Sequence, residues 1–262
     1  AGQLLTLSRA EPGSRRPRMQ SSTGIDVDHH AQPCVFVPVR MSTVPNLALP
    51  PLKKRPSDMQ PPKHVWLTLD DGPDPVHSER ILRVLDHHGI KAVFFVIGNR
   101  VAAHAATLRR TFEAGHLVAN HTLTHRRLTE LSDAEVLREI ETTDQLIAEH
   151  GGGQKWLRPP FGACDDRVVR LARKLGHRTV LWDVDPNDWD PRHQPKAWID
   201  RALREMRHKA DCVILAHDDR PTTAEHFDLF LRRLKGSGKV VFQDPATLEQ
   251  AGAAFARIAG PP

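Results

Sequence analysis

Cysteine is scarce, tyrosine is absent, and no stretch of the chain stays apolar for long. Three cysteines in 262 residues, Cys34, Cys164 and Cys212, are too few and too scattered for a disulfide framework or a CxxC metal site. No apolar run nears the roughly 20 residues that a membrane-spanning helix requires. Nor is a secretory leader legible, because no positively charged segment runs into an apolar stretch.

Most of the chain also lacks an excess of either charge. The formal net charge is +5, but residues 1–63 hold nine Lys/Arg and only four acids. Residues 64–262 then carry 28 of each sign. No nucleic-acid partner is expected for a neutral domain. The basic leading arm has the charge to contact an anionic cell-wall polymer. Residues 1–62 contain ten of the 21 prolines and little periodicity. Such a stretch buries little apolar surface against its chain entropy, so it is expected to be a flexible arm. Within it, residues 34–39 have the composition of a short edge strand, with Pro38 limiting the pairing. The expected boundaries are therefore an arm over 1–62 and one folded domain over 63–262.

From residue 64 the pattern changes. Apolar, β-rich runs at 64–70, 91–97, 116–120, 155–158, 178–184, 212–217 and 239–243 alternate with stretches of helical length. The segment 132–149 illustrates the helical pattern. Ser132 or Asp133 can cap it, Glu135 is an early acid, and Val136, Leu137, Ile140, Leu146 and Ile147 fall largely on one face. Continuous apolar strands separated by helices indicate parallel pairing with both faces buried. Seven such repeats favour an α/β fold of the distorted (β/α)7-barrel type, with an open doubly wound parallel sheet as the alternative. In either, ligands bind beyond the carboxyl ends of the strands.

Polar groups gather at those ends. The first run finishes in Asp70-Asp71-Gly72-Pro73, which taken alone is a turn signal. Adjacent strand residues point to opposite faces, so the turn must bend if both acids serve one site. The third finishes in His121-Thr122-Leu123-Thr124-His125; histidines four apart share a face if the segment is helical. With 16 histidines in the chain, such a pair also arises by chance. Two imidazoles and a carboxylate leave positions open for water and substrate, as a catalytic metal site requires. The fourth run ends in Arg158-Pro159-Pro160-Phe161-Gly162, where a guanidinium can orient a carboxylate. The fifth leads into Asp185-Pro186-Asn187-Asp188-Trp189. The sixth ends in Leu215-Ala216-His217-Asp218, and Leu215 and His217 share a strand face.

Taken in order, TLDDGP, HTLTH, RPPFG, DPNDW and LAHD resemble the five motifs of the NodB-homology polysaccharide deacetylases, family 4 of the carbohydrate esterases. The resemblance covers roughly residues 64–245 and implies a NodB-like barrel. It implies a divalent metal held by Asp71, His121 and His125, zinc by default and cobalt, nickel or manganese otherwise. It makes Asp70 the general base, Arg158 the group that holds it, His217 the general acid and Asp188 the partner that favours protonated His217. It gives the Phe161 backbone N–H to the oxyanion, and Leu215 and Trp189 to the wall around the acetyl methyl group. The implied activity is removal of acetyl from an N-acetylglucosamine-containing glycan, chitinous or peptidoglycan-like. O-acetyl esterase action on acetylated xylan and a non-catalytic saccharide-binding role are the alternatives. It also favours a secreted or cell-envelope location. Phe161 stands where tyrosine is common, but in a chain without tyrosine the change is not specific to the site. His116 and Asn120 are expected to be structural.

Overall fold

A computed structural model describes residues 61–252. The leading arm and its expected edge strand lie outside the described residues. Seven strands, all parallel, form one sheet. They are β1 (Lys63–Asp70), β2 (Val93–Val96), β3 (Leu117–Asn120), β4 (Trp156–Leu157), β5 (Arg178–Thr179), β6 (Asp211–His217) and β7 (Val240–Phe242). Around them lie α1 (His77–His88), α2 (Gly98–Ala103), α3 (Ala105–Glu113), α4 (Asp133–Ala148), α5 (Asp166–Lys174), α6 (Ala197–Glu205) and α7 (Pro221–Gly236).

The sheet runs β5-β4-β3-β2-β1-β6 and curls back on itself. Beyond β5 the chain bends across to β6, where Val184 bridges Ile214 in parallel and Leu215 N–H donates to Val184 O at 3.0 Å. This is the curled, distorted barrel expected from the alternation. The seventh run has a different place from a barrel stave. β2 joins β1 only from Thr68 onward, leaving the lower part of that edge unpaired. β7 fills it, pairing with Lys63, His64 and Val65, so the open edge is covered.

Strand alternation sorts the core into two layers. Val65, Leu67, Leu69, Phe94, Val118, Cys212 and Ile214 face outward, against Ile81 and Leu85 of α1 and Phe227, Phe230 and Leu231 of α7. Trp66, Val93, Phe95, Ala119, Trp156 and Val213 fill the interior. Both faces are buried, which is why these runs are continuously apolar. The same parity carries upward: Thr68 and Asp70 follow Trp66 on the inner face, and Leu215 and His217 follow Val213.

The stretch of helical length that follows β2 is two helices, α2 and α3, broken at His104, whose backbone leaves the helical region (φ −132°, ψ 41°). α4 starts as its sequence requires. Ser132 Oγ accepts from Glu135 N–H while the Glu135 carboxylate accepts from Ser132 N–H, a reciprocal cap. No helix among the described residues is long and apolar enough to cross a membrane.

Candidate active site

At the carboxyl end of the barrel a pocket of about 450 Å³ opens, and Asp70, Asp71, His121, His125, Leu215 and His217 are among its lining residues. The two ends that matter most are paired strands. Asp70 and His217 are register partners across β1 and β6, so parallel pairing alone sets a carboxylate beside an imidazole.

Asp71 would point away from Asp70 if β1 continued. Instead it adopts φ +76°, a left-handed conformation tolerated by Asp, which swings its carboxylate to the same mouth. The turn that follows depends on Gly72. A Cβ there would lie 2.2 Å from Asp218 Oδ2. Asp218 is itself buried and accepts a short hydrogen bond from Ser78 Oγ. Burial pushes the Asp218 carboxyl up to about 7. Gly72→Ala is expected to cost about 1–3 kcal/mol by overpacking, read as a lower denaturant midpoint with unchanged slope. A midpoint equal to that of the parent chain would show that Asp218 yields without cost.

The two histidines reach the pocket by a route other than the expected one. Residues 121–125 are not helical. Thr122 and His125 both have positive φ, +69° and +59°. The resulting loop is held by side chains: Thr122 N–H donates to Asn120 Oδ1 at 2.8 Å, and Thr124 N–H to Glu139 Oε2 at 2.8 Å. Asn120 Nδ2 in turn donates to Ile140 O and Asp144. Glu139, buried on α4, is a supporting residue that sequence reading missed. Its signal is an acid placed among the buried Val136, Ile140 and Thr143 of one helix face.

The donor set fits a divalent metal. The Nε2 atoms of His125 and His121 face Asp71 Oδ1 at 3.2 and 3.4 Å. Ligands of a tetrahedral ion at ~2.0–2.1 Å stand about 3.3 Å apart, so these spacings already match. Asp71 Oδ1 is buried with no hydrogen-bond partner among the described residues. His121 Nδ1 lies 2.7 Å from Arg158 O. A carbonyl only accepts, so Nδ1 carries the proton and Nε2 presents its lone pair to the cluster. Burial would raise the Asp71 carboxyl, but His121 and His125 together hold it far below the usual carboxylate range. A third group facing the Asp71 carboxylate is Arg220, whose Nη2 donates to Asp71 Oδ2 at 3.2 Å.

Two further arrangements flank this cluster. Arg158 is fully buried and donates through Nη1 to Asp70 Oδ1 at 2.7 Å and Thr68 Oγ1 at 2.8 Å. Its Nη2 donates to Leu181 O, and its plane lies 4.0 Å from the Phe95 ring centre, so the guanidinium is fixed on every side. On the other flank His217 Nδ1 donates to Asp188 Oδ1 at 2.7 Å. The second Asp188 oxygen accepts from His217 N–H and Thr223 Oγ1, each at 2.8 Å. Burial alone would lower the His217 pKa; Asp188, with Asp71 and Asp70 beyond it, pushes it up to about 10.

The remaining expected residues form the rim. Leu215 is buried in the wall, whereas Trp189 and Phe161 are half exposed. Phe161 has φ +61°, which turns its ring out over His125 at 4.7 Å between centroids. Gly162, also at positive φ, packs under the Trp182 ring. Sequence reading did not pick out Trp182, Arg127 or Arg220 as pocket residues. His116 is an interior group: its Nδ1 accepts from Ala92 N–H, and burial lowers its pKa to about 4.

Fold and site define a parallel α/β barrel with an Asp–His–His group that could hold a metal ion at its mouth, and comparison with known proteins gives the family. The polysaccharide deacetylase model matches residues 57–180. The chain is 35% identical over 172 residues to a chitooligosaccharide deacetylase of Bradyrhizobium sp., spanning 64% of this chain and 76% of that protein. It is 36% identical over 177 residues to the peptidoglycan-N-acetylmuramic acid deacetylase PdaC of Bacillus subtilis. There it spans 67% of this chain but only 37% of the relative's length. Among solved structures, a family 4 carbohydrate esterase from Streptomyces lividans in complex with acetate superimposes with a TM-score of 0.64. It is 32% identical and covers 75% of this chain and 97% of its own. The chain belongs to the polysaccharide deacetylase family.

Proposed function

We propose that this domain is a metal-dependent hydrolase that removes acetyl groups from N-acetylglucosamine-containing glycans, chitooligosaccharide or peptidoglycan, and releases acetate. One observation carries the reading. A carboxylate locked by Arg158 and an imidazole locked by Asp188 stand at paired strand ends, on either side of the Asp71–His121–His125 donor set.

Asp71, His121 and His125 would hold a divalent ion, zinc by the nitrogen and oxygen donors and cobalt, nickel or manganese by the same set, and when bound it would supply a Lewis acid for the acetyl carbonyl and lower the pKa of water. Asp70 takes a proton from the attacking water, and Arg158 keeps its carboxylate aimed. The Phe161 N–H donates to the oxygen on which charge develops. His217 gives its proton to the departing amine nitrogen. Amide nitrogen leaves poorly until protonated, so the paired acid and base favour N-acetyl over O-acetyl substrates. Leu215 and Trp189 enclose the methyl group. The names of the relatives, which specify chitooligosaccharide and peptidoglycan N-acetyl sugars, support the substrate class. The basic residues of the leading arm suit contact with anionic wall polymer.

The test is acetate release from chitooligosaccharides, peptidoglycan and acetylated xylan, with chelator and with added zinc. Release from an N-acetylated glycan that chelator abolishes and zinc restores is the expected result. Release from xylan alone, or from none of the three, overturns the proposal.

A further inference from the structure

Two charged side chains lining the pocket, Asp185 and Arg127, have no ion-pair partner among the described residues, and the Asp185 carboxylate instead accepts from Asn187 N–H. Asp70 is paired with Arg158, and Asp71 with the two histidines and Arg220. Arg220 also faces Asp219 at 3.0 Å. Arg127 lines the same pocket and is exposed, and among the described residues no carboxylate stands within ion-pair reach of it. Among the described residues its side chain meets a ring: the guanidinium carbon sits 4.6 Å from the centre of Phe161.

That contact fixes what Arg127 can do. Stacking on an aromatic face orients the guanidinium plane and leaves its in-plane N–H donors free. Those donors match a carboxylate in a bidentate fork, a match that lysine cannot reproduce. Phe161 in turn meets the His125 ring edge-on at 4.7 Å between centroids, which keeps the guanidinium within about 9 Å of that histidine's ring. A group this close to a proposed metal ligand can reach the sugar being deacetylated or its immediate neighbour. Neutral chitin offers no group that needs an unpaired cation there.

Resting on the deacetylase reading above, we infer that Arg127 is a specificity-determining residue that recognises a carboxylate on the glycan. The carboxylate belongs to the sugar being deacetylated or to its immediate neighbour, either as an acidic ether substituent or as a uronic acid.

The test uses the zinc-loaded chain and four ligands. One is an N-acetylated oligosaccharide bearing an O-lactyl carboxylate, and the second is its methyl ester. The third alternates N-acetylglucosamine with a uronic acid, and the last is neutral chitotetraose. Both kcat/KM for acetate release and dissociation constants are measured for the parent chain, Arg127→Ala and Arg127→Lys. The parent is expected to favour the lactyl acid or the uronate over the neutral ligands by about tenfold, the scale of one charge-assisted fork. Arg127→Ala should bring that ratio close to one, and Arg127→Lys should retain only part of it. Whichever acid is preferred identifies the source of the carboxylate. A parent chain that does not distinguish the acid from its methyl ester overturns the inference. So does an Arg127→Ala variant that loses the same factor on every ligand. If no ligand releases acetate, the deacetylase reading fails, and the ratio of dissociation constants still decides the role of Arg127.

Discussion

Asp70→Asn is expected to lower kcat on an N-acetylated glycan by a factor of about 10²–10⁴, the usual worth of a positioned general base. It is also expected to destabilise the fold. Arg158 is fully buried, and among the described residues Asp70 is its one carboxylate partner. Removing that partner leaves a buried charge without compensation, a loss of about 3–5 kcal/mol. The remaining acceptors, Thr68 Oγ1, Leu181 O and Val180 O, are dipoles and not counter-ions. The two effects separate in a double variant. Adding Arg158→Met to Asp70→Asn replaces the stranded guanidinium with an apolar group of similar reach, beside Phe95 and Trp182. Thermal or denaturant unfolding should then recover much of the lost stability while acetate release stays at the level of the single variant. If activity returned with stability, Asp70 would act through the fold and not as the base.

The double variant also shows which parts of the site could be read from sequence. Asp70 and Arg158 are 88 residues apart, and nothing local links them. Their meeting follows from topology: both end parallel strands, and a curled parallel sheet gathers its carboxyl ends at one mouth. Strand-end position was legible because both faces of the sheet are buried, so the polar residues that break each apolar run are conspicuous. What could not be read is how the chain turns afterwards. Asp71, Thr122, His125 and Phe161 all take positive φ, which residue type does not announce when the residue is not glycine. The histidine spacing suggested a helical turn; the actual loop is imposed by Asn120 and Glu139, from a strand and a distant helix. Arg127 and Arg220 escaped for a related reason. Exposed arginines are common, and only the fold tells which of them face a pocket and which of those lack an acid. β7 was legible as a strand, but its place below β2 depends on where β2 begins to pair.

His217→Ala is expected to cost a factor of about 10²–10⁴ in kcat/KM on an amide substrate and clearly less on an acetyl ester. The alkoxide of an ester departs without full protonation, and the amine does not. The pH dependence carries the same assignment. His217 is raised from 6.5 to about 10, through Asp188 above all, against the lowering effect of burial. Its proton is therefore present at neutral pH, and its action as an acid is lost only as pH climbs toward that value, on the alkaline limb. The stability it contributes has the same sign. A histidine whose pKa is higher in the folded state stabilises the fold fully below about 6.5 and ceases to do so as pH rises through about 10. Asp188→Asn keeps the shape but removes the charge that holds the proton. The alkaline limb of kcat/KM should then move down by about one to three pH units, and the parent's stability advantage over Asp188→Asn should shrink on going from pH 6 to pH 10. Thr223 Oγ1 donates to the same carboxylate without adding charge. Thr223→Val should therefore leave the alkaline limb closer to its original place than Asp188→Asn does. Equal losses on amide and ester in His217→Ala, together with an unmoved limb in Asp188→Asn, would remove His217 from the role of leaving-group acid.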